Sequence, residues 1–242
     1  MIEVREVSKS YSKGAVKALN QVNLTVKNGE IFGFLGPNGA GKTTLIKILT
    51  GILNVEQGQV LINGVNIKTK PIEAKLQIGF VPDDPNMFTR LTGTNYLNFM
   101  ADMYLVPKET RQSLIPKFLE RFDMASAVGD LIQSYSHGMK QKIVLIGSLL
   151  HNPPVWIMDE PMTGLDPKSS FILKEMMREH ADAGKTVFFS THVLDVAEKI
   201  CDRMAIINKG KVIFQGTMEE IHKHFRENQS LENMFLELTE NG

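Results

Sequence analysis

Gly36-Pro37-Asn38-Gly39-Ala40-Gly41-Lys42-Thr43 fills every fixed position of the pattern G-x-x-x-x-G-K-[ST]. Before it, Glu30-Ile31-Phe32-Gly33-Phe34-Leu35 is a mostly apolar run of strand length. After it, residues 44–49 have helical character and stop at Gly51. That strand, loop and helix context is what the motif requires of a phosphate-binding loop. Glycines at 36, 39 and 41 let the backbone turn tightly with its N–H groups facing inward, where a side chain would block a phosphate. The helix start adds a positive dipole end, Lys42 a charge for β- and γ-phosphates, and the Thr43 hydroxyl a ligand for magnesium. A glycine-rich turn without a ligand is the plainer reading, and the agreement of motif and context speaks against it.

Around this loop, the composition narrows the possibilities. With 242 residues, 43% of them hydrophobic, the chain can bury the core of one large domain, or of one domain with a subdomain. Lys plus Arg and Asp plus Glu both number 27, so the formal charge is zero and non-specific nucleic-acid binding is disfavoured. Apolar stretches such as 143–150 fall far short of the roughly 20 residues needed to cross a bilayer. The N-terminus alternates like a strand and lacks the apolar core of a secretory signal, so a cytoplasmic location is expected. The single cysteine, Cys201, excludes an internal disulfide and reads as a packing residue.

Along the chain, residues 2–7, 18–26 and 31–35 read as strands of a β-rich entry region. Another strand at 59–64 closes on Asn63-Gly64, a short helix follows at 72–76, and a buried strand at 78–82. Helical periodicity takes over from 93 to 150, which marks an inserted helical subdomain. Strands return at 155–158, 186–189, 203–207 and 211–214, with helices at 168–180 and 194–200 between them. Such alternation implies a largely parallel sheet covered on both faces. Residues 218–225 and 231–238 read as a helical tail.

Two further elements carry chemistry. Val155-Trp156-Ile157-Met158 ends in Asp159-Glu160. A buried strand beside the phosphate loop places Asp159 to hold magnesium with Thr43, and Glu160 to orient or deprotonate an attacking water. Ser134-Tyr135-Ser136-His137-Gly138-Met139-Lys140-Gln141 precedes a helix expected at 142–150. Taken with a Gly164-Leu165-Asp166 turn and the lone His192, this order of motifs resembles the ATP-binding subunits of ABC transporters, from about residue 4 to 216. The resemblance implies a P-loop NTPase of the α/β class. It has a mostly parallel core sheet, an N-terminal antiparallel β subdomain and a helical subdomain at about 84–150. Residues 1–216 form the ATPase domain and 217–242 a C-terminal helical tail.

The same resemblance assigns roles. The family's signature, Leu-Ser-Gly-Gly-Gln, maps to Tyr135-Ser136-His137-Gly138-Met139, where Ser136 and Gly138 match and would contact the γ-phosphate. His137 looks like the Ser-His-Gly-Met variant of subunits that serve ABC-2 exporters. Tyr11 matches the aromatic that stacks on adenine. Gly36, Pro37, Asn38, Gly39, Ala40, Gly41, Lys42, Thr43 and Thr44 cradle the ATP phosphates. Lys42, Glu160 and His192 are implied in catalysis; Thr43, Asp159 and Asp83 in holding Mg2+. Asp83 stands where the family usually has glutamine, and its shorter carboxylate accepts hydrogen bonds without donating them.

Residues 85–91, with Met87 and Phe88, look like the face that seats a helix of a transmembrane permease subunit. The phosphate loop and signature meet only between chains in this family, so the implied assembly is a head-to-tail dimer with itself or a related subunit. It would close around two ATP at the inner face of the cell membrane, without nucleic acid. A soluble ABC-type ATPase acting on nucleic acid or the ribosome is the alternative, and a small-molecule kinase leaves Ser136-His137-Gly138 unexplained.

Overall fold

Alternation near the N-terminus and unbroken apolarity further on sort the strands into two sheets. The structure, a computed structural model, describes residues 1–11 and 16–224; the helix expected at 231–238 lies outside them. Strands β1 (Ile2–Tyr11), β2 (Val16–Val26), β4 (Gln57–Ile62) and β5 (Val65–Asn66) form an antiparallel sheet in the order β2-β1-β4-β5. Its strands alternate buried and exposed positions because one face meets the core. Register shifts interrupt the β1–β2 ladder, and Glu6 and Gln21 take positive φ there. Asn63 and Gly64 both have positive φ, which is the tight turn expected of an Asn-Gly pair.

The second sheet has six strands in the order β10-β9-β3-β8-β7-β6. They are β3 (Ile31–Leu35), β6 (Ile78–Val81), β7 (Val155–Asp159), β8 (Thr186–Thr191), β9 (Arg203–Asn208) and β10 (Lys211–Gly216). All neighbours pair in parallel except β9 and β10, which join through a Lys209-Gly210 hairpin. Side chains alternate across this sheet into two cores. Phe32, Phe34, Ile157 and Phe188 face α1 (Lys42–Leu49) and the antiparallel sheet. Trp156, Met158, Val187 and Phe189 face the helices of the opposite side. Phe188 stacks on Phe32 with ring centroids 6.0 Å apart and planes 6° apart.

Those helices are α3 (Gly93–Met103), α4 (Lys108–Arg121), α5 (His137–Leu149) and α6 (Pro167–Asp182); α2 (Pro71–Lys75), α7 (Leu194–Ile200) and α8 (Met218–His224) are shorter. One boundary departs from expectation: α5 begins at His137, not at 142. The Ser136 hydroxyl accepts the Met139 N–H at 3.2 Å, and this cap outweighs the poor helix propensity of His137 and Gly138. The segment expected to precede the helix therefore forms its first turn.

Cys201 ends α7 with its Sγ packed over Gly33, where a Cβ would come within 2.6 Å of the sulfur. Burial pushes the thiol pKa up.

Two histidines are also packing groups. His151 stacks on Tyr104 at 3.7 Å and 9°, and His180 tilts against Trp156 at 5.6 Å. Burial, with the Lys185 charge adding to it, lowers both from 6.5 to about 4. Unfolded chains take up these protons below about pH 6.5 while the folded protein holds both rings neutral until about pH 4. Stability is thus expected to fall as the pH drops through that window. Urea midpoints at pH 7 and pH 5 check this, and His151→Phe, which keeps the stacked ring, should shrink the drop.

Candidate nucleotide-phosphate site

The site begins where β3 ends. Its backbone passes so close to β9 that a Cβ on Gly36 would lie 2.4 Å from the Ile207 carbonyl oxygen. Gly41, with φ +115°, abuts the Ala18 carbonyl in the same way and caps α1 without a side-chain hydrogen bond. The first N–H groups of α1 are thus left open to an anion. Lys42 folds back over the loop, donating to the carbonyls of Gly36 at 2.6 Å and Pro37 at 3.3 Å. Its Nζ lies 3.6 Å from Glu160 Oε1. A positive charge is thereby fixed at the mouth of the loop.

Asp159 and Glu160 arrive from β7, two strands away. Asp159 is 2% exposed, and burial raises its pKa, opposed by hydrogen bonds from Ser190 and Thr43; the Asp83 and Glu160 charges add to the rise. Glu160 has φ +47°, a left-handed conformation that is unfavourable for a residue with a Cβ. Its Oε2 lies 3.0 Å from His192 Nδ1 just beyond the end of β8. Pro37, Asn38, Gly39, Gly41, Lys42, Thr43 and Thr44 line one cleft together with Asp83 and Glu160. Asp159 accepts a hydrogen bond from Thr43, while Gly36 and Ala40 are the buried residues of the loop that do not line the cleft.

Thr43, Asp159 and Asp83 offer a hydroxyl and two carboxylates, hard oxygen donors of the type magnesium takes. Among the described residues no three acidic, histidine or cysteine side chains form a metal site by themselves. One or two carboxylates completed by substrate phosphates and water is the usual arrangement for this ion. The donor set and the glycine-lined loop therefore fit a magnesium–nucleotide pair.

Other expected residues lie apart. None of residues 134–141 lines the cleft. Ser136 and His137 are exposed at the N-terminus of α5. Gly138 packs against the Gly164 carbonyl, which a Cβ would approach to 2.7 Å, and the His137 ring covers Gly164. Asp166 caps α6 through Ser169 and pairs with Lys142 at 3.0 Å; hydrogen bonds from Ser169 and Lys142 hold its carboxyl well below the usual range. Gln141 donates to the Pro161 carbonyl at 3.1 Å. The first turns of α5 thus grip the loop that leaves Glu160.

Tyr11 stands half-exposed at the end of β1, with Lys9 Nζ 5.8 Å from its ring centroid, and does not line the cleft. Met87 and Phe88 are both exposed; the Phe88 ring lies 5.3 Å from that of Phe99. Two residues at the site escape the motif reading. Ala18 lines the cleft from β2, and nothing in its local sequence marks it. Ser190 bonds to both carboxylate residues; its only signal is a small hydroxyl at the end of an apolar run.

A phosphate loop between a buried parallel strand and a helix, with a carboxylate strand from the same sheet reaching its threonine, defines a P-loop nucleotide-binding protein. The family model described as "ABC transporter" matches residues 19–163. Uncharacterized ABC transporter ATP-binding proteins of Nostoc sp. and Synechocystis sp. are 37% and 34% identical over 208 and 228 residues. Those matches take in 85% and 91% of this chain but 62% and 64% of the relatives, so the chain spans less than two thirds of their length. The linearmycin resistance ATP-binding protein LnrL of Bacillus subtilis is 32% identical over 221 residues, 91% of this chain and 70% of LnrL.

Among solved structures, an ATP-binding subunit of an ABC transporter superposes with TM-score 0.93 at 32% identity, covering 98% of this chain and 99% of that one. A dimeric ATP-binding cassette in a post-hydrolysis state with ADP and Pi gives TM-score 0.82 at 25% identity, covering 90% and 99%. The chain belongs to the ABC transporter family, on the side of its ATP-binding proteins.

Proposed function

We propose that this chain is the ATP-hydrolysing motor subunit of an ABC-type exporter, working as a head-to-tail dimer around two ATP. One observation carries the reading: Lys42, Thr43, Asp83 and Glu160 share a cleft that none of residues 134–141 reaches, while Ser136 is exposed elsewhere. The signature residues then serve a second copy or a related subunit, where Ser136 and the Gly138 N–H bind the γ-phosphate. In the chain's own cleft, Lys42 moves from the loop carbonyls to the β- and γ-phosphates. Glu160 accepts a proton from the attacking water, and His192 holds the far oxygen of that carboxylate. Thr43, Asp159 and Asp83 would hold magnesium, which neutralises charge on the phosphates. Tyr11, at the end of β1, stacks on adenine when nucleotide is bound.

Met87 and Phe88, exposed beside Phe99, form the contact with a transmembrane permease subunit. The chain then sits peripherally on the inner face of the cell membrane. No helix among the described residues is long and apolar enough to cross it. Export is supported by the Ser-His-Gly-Met signature and by the resistance function in the name of LnrL. The test is purification of the chain from detergent-solubilised membranes. A multi-span protein is expected to come with it, and Phe88→Asp should release that partner while leaving ATP binding intact. Recovery of the chain alone, with hydrolysis stimulated by nucleic acid, would reject the transporter reading.

A further inference from the structure

Within β8, Val187, Phe188 and Phe189 are fully buried, and so is Ser190. A hydroxyl in such surroundings is unfavourable unless it is paired, and this one is paired twice. In the parallel β7–β8 ladder Ser190 lies opposite Asp159. Its Oγ donates to Asp159 Oδ1 at 2.5 Å and accepts the Glu160 N–H at 3.0 Å. The direction of this chain is fixed by chemistry. A backbone N–H only donates and an ionised carboxylate only accepts, so the one hydroxyl proton must point at Asp159.

The bond to Glu160 falls on a backbone in an unfavourable conformation. With φ at +47°, Glu160 aims its carboxylate back into the cleft, 3.6 Å from Lys42 and 3.0 Å from His192. A left-handed residue with a Cβ persists only where its surroundings hold it. The Ser190 hydroxyl is a hydrogen-bond partner for that peptide's N–H, and it anchors the peptide to the neighbouring strand. Ser190 itself does not line the cleft.

We infer that Ser190 is a positioning residue for hydrolysis: it holds the Glu160 peptide in the left-handed turn that directs its carboxylate at the reacting water. The inference rests on the hydrolytic reading above. Ser190 also donates to Asp159, which the proposed function gives to magnesium, so the two routes are separated by magnesium dependence. An effect through Glu160 lowers kcat at saturating magnesium and leaves KM and the magnesium requirement unchanged. A raised magnesium requirement that excess magnesium corrects would place the effect on Asp159 and overturn the inference.

Steady-state ATP hydrolysis by the full chain, with binding of a non-hydrolysable ATP analogue, tests it in Ser190→Ala, Ser190→Thr and Ser190→Cys. Ser190→Ala is expected to lower kcat by about 100-fold, the scale of a misplaced catalytic group, while KM and analogue affinity stay within about twofold. Ser190→Thr restores most of the loss by returning the hydroxyl. Should its extra methyl group prevent folding in the packed strand, Ser190→Cys, of similar size and with a weaker donor, should fall between alanine and wild type. Wild-type kcat in Ser190→Ala, or a loss of analogue affinity equal to the loss of kcat, overturns the inference alone. Absence of hydrolysis in the wild-type chain that still binds ATP overturns the proposed function and takes this inference with it.

Discussion

Glu160→Gln should retain ATP binding and lose turnover by roughly 100- to 10,000-fold, the range for removal of a positioned general base. Glutamine keeps the size of the side chain but its amide takes no proton from water. The phosphate contacts proposed for Lys42 and the loop N–H groups do not pass through this carboxylate, and before nucleotide binds Lys42 is held in the loop by the Gly36 and Pro37 carbonyls as well as by Glu160. Bound ATP should therefore persist uncleaved, and with it the bridge between subunits, so that an ATP-dependent dimer accumulates in gel filtration. Near-normal turnover in this variant would reject the role given to Glu160.

A second large effect tests the division of the site between chains. Lys42→Ala removes the charge fixed at the phosphate loop, and Ser136→Arg places a bulky cation at the exposed start of α5. Each variant alone is expected to be inactive, because every site in its dimers lacks one half. Mixed after purification, the two should recover activity. Random pairing makes half of the dimers mixed, and each holds one intact site, so about a quarter of the wild-type sites return. If the sites fire independently, hydrolysis returns to the same extent. Continued inactivity, with mixed dimers demonstrated by differential tagging, would argue against a shared site.

Much of this arrangement is legible without coordinates, for identifiable reasons. The phosphate loop is readable because Gly36 and Gly41 occupy positions where the backbone touches another strand, at Ile207 and Ala18, and Gly39 takes a φ of +79°. Strands β3, β7 and β8 are readable because burial on both faces demands an unbroken apolar run. Less visible are features fixed by tertiary contact. The start of α5 hides because His137 and Gly138 have poor helix propensity, and only the Ser136 cap extends the helix to them. The full length of β1 and β2 hides because bulges break their alternation. Ser190 hides because its partner is opposite in register, 31 residues away in sequence. The left-handed backbone at Glu160 has no sequence signal, since nothing in glutamate favours it.

The sulfur lodged over Gly33 has a practical consequence for probing assembly. With one native cysteine in the chain, and that one poorly ionised within the protein, maleimide dyes and bifunctional cross-linkers meet almost no background reactivity. Paired substitutions such as Asn38→Cys and Ser136→Cys can thus be made in the otherwise native polypeptide. A covalent band at twice the monomer mass would then report directly on which surfaces of two copies come face to face.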